Sequence, residues 1–284
     1  MPEGNTVWLS ARKLRKALAG HPLAKAELRV ADLATTDLRG HTVTEVIPRG
    51  KHLLIRFDNA HTLHSHLRMD GTWRVQPAGR SVVDPHDHVR VVLGNATRTA
   101  IGDRIHDIAL ILTSAEDTVV GHLGPDLLGP DWSADEATRR ITADPQRSIG
   151  EALLDQRNLA GAGNVYKAEA CFLRGLSPFT PVGEVRDIAA VVDVVHRLLR
   201  ANRERYDHVT TGDTRAGQRT WVYDRAGKPC RRCGAPIQVA WQGETEQARV
   251  SYWCANCQPG PSPAPAQRGL QRGVKRGVQR QPQR

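Results

Sequence analysis

Apolar residues open the chain at helical spacing. Val7, Ala11, Leu14 and Leu18 form one stripe, which predicts an amphipathic helix over 4–18, ended by Gly20 and Pro22. The pattern then changes to short alternating or apolar runs at 26–30, 42–47, 52–57, 62–67, 72–75 and 89–93. Arg49-Gly50, Asp58-Asn59, Asp70-Gly71 and residues 77–79 supply the turns between them, so a sandwich of short antiparallel strands is expected. Three Gly and two Pro between Gly121 and Pro130 read as a linker. Beyond it the period becomes 3.6. Ser133 with Glu136 three residues on gives a helix start, and 149–157, 164–174 and 184–206 read as helices. From Val222 short strands return among cysteines. The expected class is α+β, divided as 1–118 (β-sandwich), 119–131 (linker), 132–221 (helical), 222–258 (cysteine hairpin) and 259–284 (tail).

Apolar residues are 39% of the 284, enough for the cores of two modest domains. No stretch approaches the roughly 18 uninterrupted apolar residues of a membrane helix. The N-terminal segment carries charge where a signal peptide needs its apolar centre, so a cytoplasmic protein with no membrane partner is expected.

Net charge is +10, unevenly placed. Arg268, Arg272, Lys275, Arg276, Arg280 and Arg284 lie in the last 26 residues with no acid among them, leaving +4 for residues 1–258. That tail, rich in Pro, Gln, Gly and Arg, reads as disordered. A basic surplus favours polyanions through counterion release, which makes nucleic acid the first partner to consider.

Four of the five cysteines form a pattern: Cys230-Arg-Arg-Cys233, 20 residues, then Cys254-Ala-Asn-Cys257. Two such knuckles suit one tetrahedral zinc ion, closed by four thiolates and therefore structural. A pair of disulfides or redox chemistry are the alternatives, and the expected compartment disfavours the first. Cys171, in an apolar helical stretch, reads as a core residue. Arg225, Arg231, Arg232 and Arg249 give the hairpin a basic surface, either simply solubilising or facing DNA.

With this hairpin, the start Met1-Pro2-Glu3-Gly4 resembles the Fpg/Nei family of DNA glycosylases/AP lyases. Two segments between them match the family in order and spacing. Pro48-Arg49-Gly50-Lys51-His52-Leu53-Leu54 is similar to its lysine-bearing turn. Residues 153–166, ending Gly161-Ala162-Gly163-Asn164-Val165-Tyr166, are similar to its helix–two-turn–helix element.

The chemistry of these residues fits the resemblance. Once Met1 is removed, Pro2 is a secondary amine titrating near the α-amino value of about 8, so part of it is neutral and nucleophilic. Its attack on the anomeric carbon of a damaged nucleotide expels the base. The resulting iminium acidifies the neighbouring sugar proton and permits strand scission by elimination. Glu3 can protonate the sugar ring oxygen as the base leaves.

The resemblance implies further roles. Lys51 donates a proton in base release or β-elimination and touches phosphate. Arg249 holds phosphates at the lesion and assists the second elimination. Met69 is the wedge that fills the gap left by an extruded nucleotide, although a buried hairpin methionine would read the same. His86, in His86-Asp87-His88, contacts phosphate. Asn164, after Gly161-Ala162-Gly163, caps a helix and donates to phosphate, although a plain interhelical turn would look alike. His64-Ser65-His66 offers too few ligands for a second metal.

Three departures from the family pattern matter. Asn5 stands where relatives usually have Asp. Residues 101–107 lack the Arg-Arg-Phe that oxidised-purine enzymes use as further wedges, and 209–221 leaves no room for their long loop over 8-oxoguanine. Both absences point to the Nei-like branch and to oxidised pyrimidines. The expected protein is a monomer that binds damaged DNA between its two domains. Duplex, bubble and single strand are all open, and so are an oxidised-purine substrate and a non-catalytic damage binder. The tail is expected to add salt-sensitive affinity.

Overall fold

The computed structural model describes residues 2–243 and 248–263, which form two compact units. The first is Met1–Asp131 with Arg203–Tyr206, and the second is Trp132–Asn202 with Asp207–Arg284. No helix of the described residues is long and apolar enough to cross a membrane.

In the first unit, helix α1 runs over Gly4–Leu18, as the apolar stripe predicts. Val7, Ala11, Leu14 and Leu18 are each at most 1% exposed. Eight strands follow: β1 Lys25–Leu28, β2 Val43–Arg49, β3 His52–Phe57, β4 His61–His66, β5 Thr72–Pro77, β6 Val89–Gly94, β7 Arg98–Asp103 and β8 Asp107–Leu112. They pair antiparallel in two four-stranded sheets, ordered β1-β6-β7-β5 and β2-β3-β4-β8. One core joins them to α1, with Ile55 and Leu63 from one sheet and Val91 and Ala100 from the other.

The sequence pattern anticipates six of these strands and misses β7 and β8. In β7, Gly102 breaks the alternation because it sits where a Cβ would lie 2.9 Å from Ile105 Cδ1 and 3.3 Å from Val91 Cβ. In β8, five apolar residues in succession carry no readable period. After β8 comes the short helix α2, Asp117–Val120. The segment expected as a linker packs closely: Leu123 and Leu127 are buried, and the buried Asp126 carboxylate accepts the Gly50 N–H at 2.8 Å.

The second unit holds helices α3 Ala134–Thr142, α4 Ile149–Leu154, α5 Asn164–Leu173 and α6 Ile188–Ala201, then hairpin strands β9 Gln238–Gln242 and β10 Arg249–Trp253. Ser133 caps α3 by accepting the Glu136 N–H at 3.2 Å, while the Glu136 carboxylate is taken by Arg139 and Arg140. Two helices are shorter than expected. Helix α4 stops where Asp155 turns extended and gathers Arg147 and Arg157 on its carboxylate. Helix α6 starts late, because Asp187 caps it through the Ala190 N–H. It ends at buried Asn202, whose amide group donates to the Leu198 and Val209 carbonyls. Helix α5 packs on the hairpin through Ala168, Phe172, Ile237 and Tyr252.

The disorder expected over 259–284 concerns mainly residues 264–284, which lie outside the described residues. The tail's first residues are docked: the Ser177 hydroxyl donates to the Pro261 carbonyl at 2.5 Å.

Candidate active site and zinc centre

The first unit holds Pro2, Glu3, Lys51, Met69 and His86. Half-buried Pro2 precedes Glu3, which is 1% exposed and occupies the N-cap of α1. Its N–H donates to Thr6 Oγ1 at 3.4 Å and its carbonyl accepts the Thr6 N–H at 2.9 Å. The helix therefore fixes the carboxylate-bearing residue beside the amine that processing would expose. Asn5, fully buried, donates from Nδ2 to the Arg205 carbonyl at 3.0 Å. An Asp carboxylate could not make that bond.

Lys51 stands in the two-residue turn between β2 and β3, where Arg49 and His52 are paired. Gly50 has φ +56, as the first central residue of such a hairpin turn requires. Asp126 holds the Gly50 N–H from below, and Arg49 pairs with Asp131 at 2.6 Å. Beside Lys51 lies a histidine cluster. His52 Nδ1 is 2.8 Å from His64 Nε2, and the ring centres of His66 and His122 lie 4.9 and 6.1 Å from that of His52. Burial, reinforced by neighbouring positive charge, holds His52 down to about 3 and His66 to about 4, so both rings are neutral at pH 7.

Met69 is 60% exposed at the tip between β4 and β5, which excludes a buried hairpin methionine. The tip is tight: Arg68 has φ +52, and a Cβ on Gly71 would meet the Leu67 carbonyl at 2.6 Å. Arg68 is tied to Asp107 at 2.8 Å. His86 lies exposed in a loop anchored by Asp84, which accepts the His88 and Val89 N–H groups. Between β7 and β8, the region lacking the further wedges is a short turn with Ile105 buried.

The second unit holds Asn164, Arg249 and the four cysteines. Gly163, not Asn164, is the N-cap of α5. The expected capping by Asn164 is thus replaced: its Nδ2 reaches the hairpin and donates to the Val250 carbonyl at 2.7 Å, leaving Oδ1 buried without a partner. Exposed Arg249 opens β10.

The other three hairpin arginines are each engaged within the second unit. Arg225, 8% exposed, donates to the Trp221 and Pro229 carbonyls. Arg231 donates to the Thr220 and Gly217 carbonyls, and Arg232 stacks over Phe172 with its guanidinium 4.4 Å from the ring centre.

The four thiol sulfurs lie within 4.8 Å of one another, with Cys230–Cys257 at 3.9 Å and Cys233–Cys254 at 3.4 Å. A disulfide needs about 2.05 Å. Zinc–thiolate bonds of about 2.3 Å in a tetrahedron give sulfur–sulfur edges of about 3.8 Å. The donor set and its spacing therefore fit one metal ion. Cys171 is fully buried and its thiol is pushed up to about 12 by burial, an inert core residue.

Sequence reasoning missed two charges on α5. Lys167 and Glu169 are both fully buried. The available signal is that α5 is otherwise apolar on every side; such a helix is interior, and its charges must find partners there.

The sandwich, the helical unit and the cysteine hairpin together define the fold of a DNA glycosylase of the formamidopyrimidine type. The sequence profile of the formamidopyrimidine-DNA glycosylase N-terminal domain matches residues 1–105, and that of its H2TH domain matches residues 123–211. A "Probable endonuclease 8 2" of Streptomyces coelicolor is 53% identical over 266 residues, covering 93% of this chain and 96% of the relative. The "DNA-(apurinic or apyrimidinic site) lyase Nei2" of Mycolicibacterium smegmatis is 48% identical, covering 91% and 99%. Lactococcus lactis Fpg, solved with abasic-site DNA, shares the fold at a TM-score of 0.75 and 22% identity, covering 91% of this chain and all of that one. The chain belongs to the Fpg/Nei family of DNA glycosylases/AP lyases.

Proposed function

We propose that this chain removes oxidised pyrimidines from DNA and cleaves the strand at the resulting abasic site, as a bifunctional glycosylase/AP lyase of base excision repair. The observation that carries this reading is half-buried Pro2 joined to buried Glu3 at the head of α1. With Met1 removed, the Pro2 amine attacks the anomeric carbon, the C–N bond to the base breaks, and Glu3 delivers a proton to the ring oxygen. The iminium then draws electrons from the neighbouring C–H bond, and the 3′ phosphate leaves by β-elimination. Lys51 serves proton transfer in these steps. Arg249 and Asn164 hold phosphate, and Arg249 assists the second, δ-elimination.

Met69, exposed on a tight tip, suits the wedge that replaces an extruded nucleotide. His86 adds a phosphate contact. One zinc ion on Cys230, Cys233, Cys254 and Cys257 is structural, supplying the cross-link without which so short a hairpin does not fold. The partner is damaged DNA, the working form a monomer and the compartment the cytoplasm.

Pyrimidine specificity is supported by what occupies two places. The β7–β8 turn buries Ile105. The 210–219 connection is drawn shut by the Thr210 N–H donating to the Arg219 carbonyl at 2.7 Å and the Thr211 hydroxyl donating to the Gln218 carbonyl at 2.7 Å. The test is a panel of duplexes with 5-hydroxyuracil, thymine glycol or 8-oxoguanine. Excision of the first two well ahead of the third is expected. Preferential excision of 8-oxoguanine would make this an oxidised-purine enzyme, and tight binding without excision of any would make it a damage binder.

A further inference from the structure

The first turn of α5 lays two side chains on one strand. Asn164 and Lys167 stand three residues apart on one helical face and engage consecutive residues of β10. Asn164 Nδ2 donates to the Val250 carbonyl at 2.7 Å, and Lys167 Nζ donates to Ser251 Oγ at 2.5 Å. Lys167 is fully buried. An ammonium group survives burial only where acceptors are built around it.

The contact continues as a chain. Ser251 Oγ donates to Gln242 Oε1 at 2.6 Å, and Gln242 Nε2 donates to Ser148 Oγ at 2.8 Å and the Pro178 carbonyl at 2.7 Å. The Ser148 hydroxyl in turn meets the Glu151 carboxylate. The fit is close enough to dictate Gly150, where a Cβ would lie 2.5 Å from Gln242 Oε1. In the β9–β10 ladder Gln242 is the direct partner of Arg249. Alternate residues of a strand share a face, so Arg249, Ser251 and Gln242 stand on the same side of the hairpin.

We propose that Lys167 is a positioning residue for the phosphate-binding Arg249. Its ammonium, acting through Ser251 and Gln242, fixes the seat of β10 on α5, and with it the point from which Arg249 reaches phosphate. This rests on the reading of Arg249 as a phosphate ligand.

The test is a cycle of wild type, Lys167→Met, Arg249→Ala and the double variant on an abasic-site duplex, measuring KM and kcat with zinc content and melting as controls. Methionine keeps the apolar stem and removes the charge. Lys167→Met should raise KM on the order of tenfold, the loss of one hydrogen bond from a charged group, with kcat nearly unchanged. The double variant should be no worse than Arg249→Ala, because residues that act through one another are not additive. A wild-type KM in zinc-loaded Lys167→Met, or a double variant with the two penalties multiplied, overturns the proposal. Should Lys167→Met fail to load zinc, Ser251→Ala breaks the same chain and meets the same criteria. A wild-type KM in Arg249→Ala removes the underlying reading, and it does so at a different corner of the cycle.

Discussion

The carboxylate of Glu169 accepts the backbone N–H of Trp221 at 2.7 Å from a fully buried position on α5. It also takes the N–H groups of Val222 and Tyr223, at 2.9 and 2.8 Å, and the Thr210 hydroxyl. One side chain thus holds both ends of the 210–221 connection and the entry to the cysteine hairpin. Burial pushes this carboxyl above its ordinary range, opposed by the four donors.

Glu169→Ala would leave three backbone donors unsatisfied, while the Thr210 hydroxyl keeps the Arg219 carbonyl at 3.2 Å. A loss of about 3 kcal/mol or more is expected in urea unfolding, at 1–3 kcal/mol for each stranded group partly relieved by water. Glu169→Gln, which keeps one acceptor oxygen, should lose less. A loss below about 1 kcal/mol in Glu169→Ala would contradict the clamp.

The histidine cluster makes the first unit acid-sensitive. His52 and His66 are held down to about 3 and about 4, chiefly by burial, among His64, His122, Arg68, Lys51 and Asp107. Unfolding releases them to about 6.5, so between about 6.5 and 4 the unfolded chain binds more protons than the folded one. Stability is therefore full above about 6.5 and falls as pH drops through that window. His52→Gln should flatten the dependence of Tm on pH between 7 and 5, measured by calorimetry. An unchanged slope would remove the cluster as its source.

Met69 touches little of its own protein, so Met69→Ala should leave stability within about 0.5 kcal/mol. Base release from a paired lesion needs an extruded nucleotide and should slow by about tenfold or more, whereas cleavage of a ready abasic site should be spared. Equal losses on both substrates would show that the exposed tip is no wedge.

Much of this was legible in the sequence. Helix α1 and strand β3 run over the residues expected because an apolar stripe and its breakers fix them locally. The cysteines announce themselves by spacing. Arg225, Arg231 and Arg232 do not, since an arginine's task depends on which carbonyl or ring the fold brings to it. Lys167 and Glu169 taken singly look like surface charges on a helix; the apolar residues on its other sides are the signal that it is interior. The small residues before Asn164 mark it as a special position, but its reach across to Val250 depends on a strand 86 residues away.

Chelation tests the metal centre. Cys230 and Cys254 are packed in one core with Ile237 and Tyr252. Removing zinc should open it, raising proteolysis in the hairpin and abolishing DNA binding, with recovery on adding zinc back. Retention of DNA binding by metal-free protein would contradict a structural zinc.

Borohydride trapping tests directly whether the Pro2 amine forms the covalent intermediate. Protein with Met1 removed is incubated with 5-hydroxyuracil DNA and, separately, abasic-site DNA, then reduced and digested for mass mapping. An adduct is expected with both DNAs, mapped to Pro2 and lost when a retained N-terminal extension blocks the amine. An adduct mapped to Lys51 or another lysine, or full activity in the blocked protein, would contradict that role for Pro2.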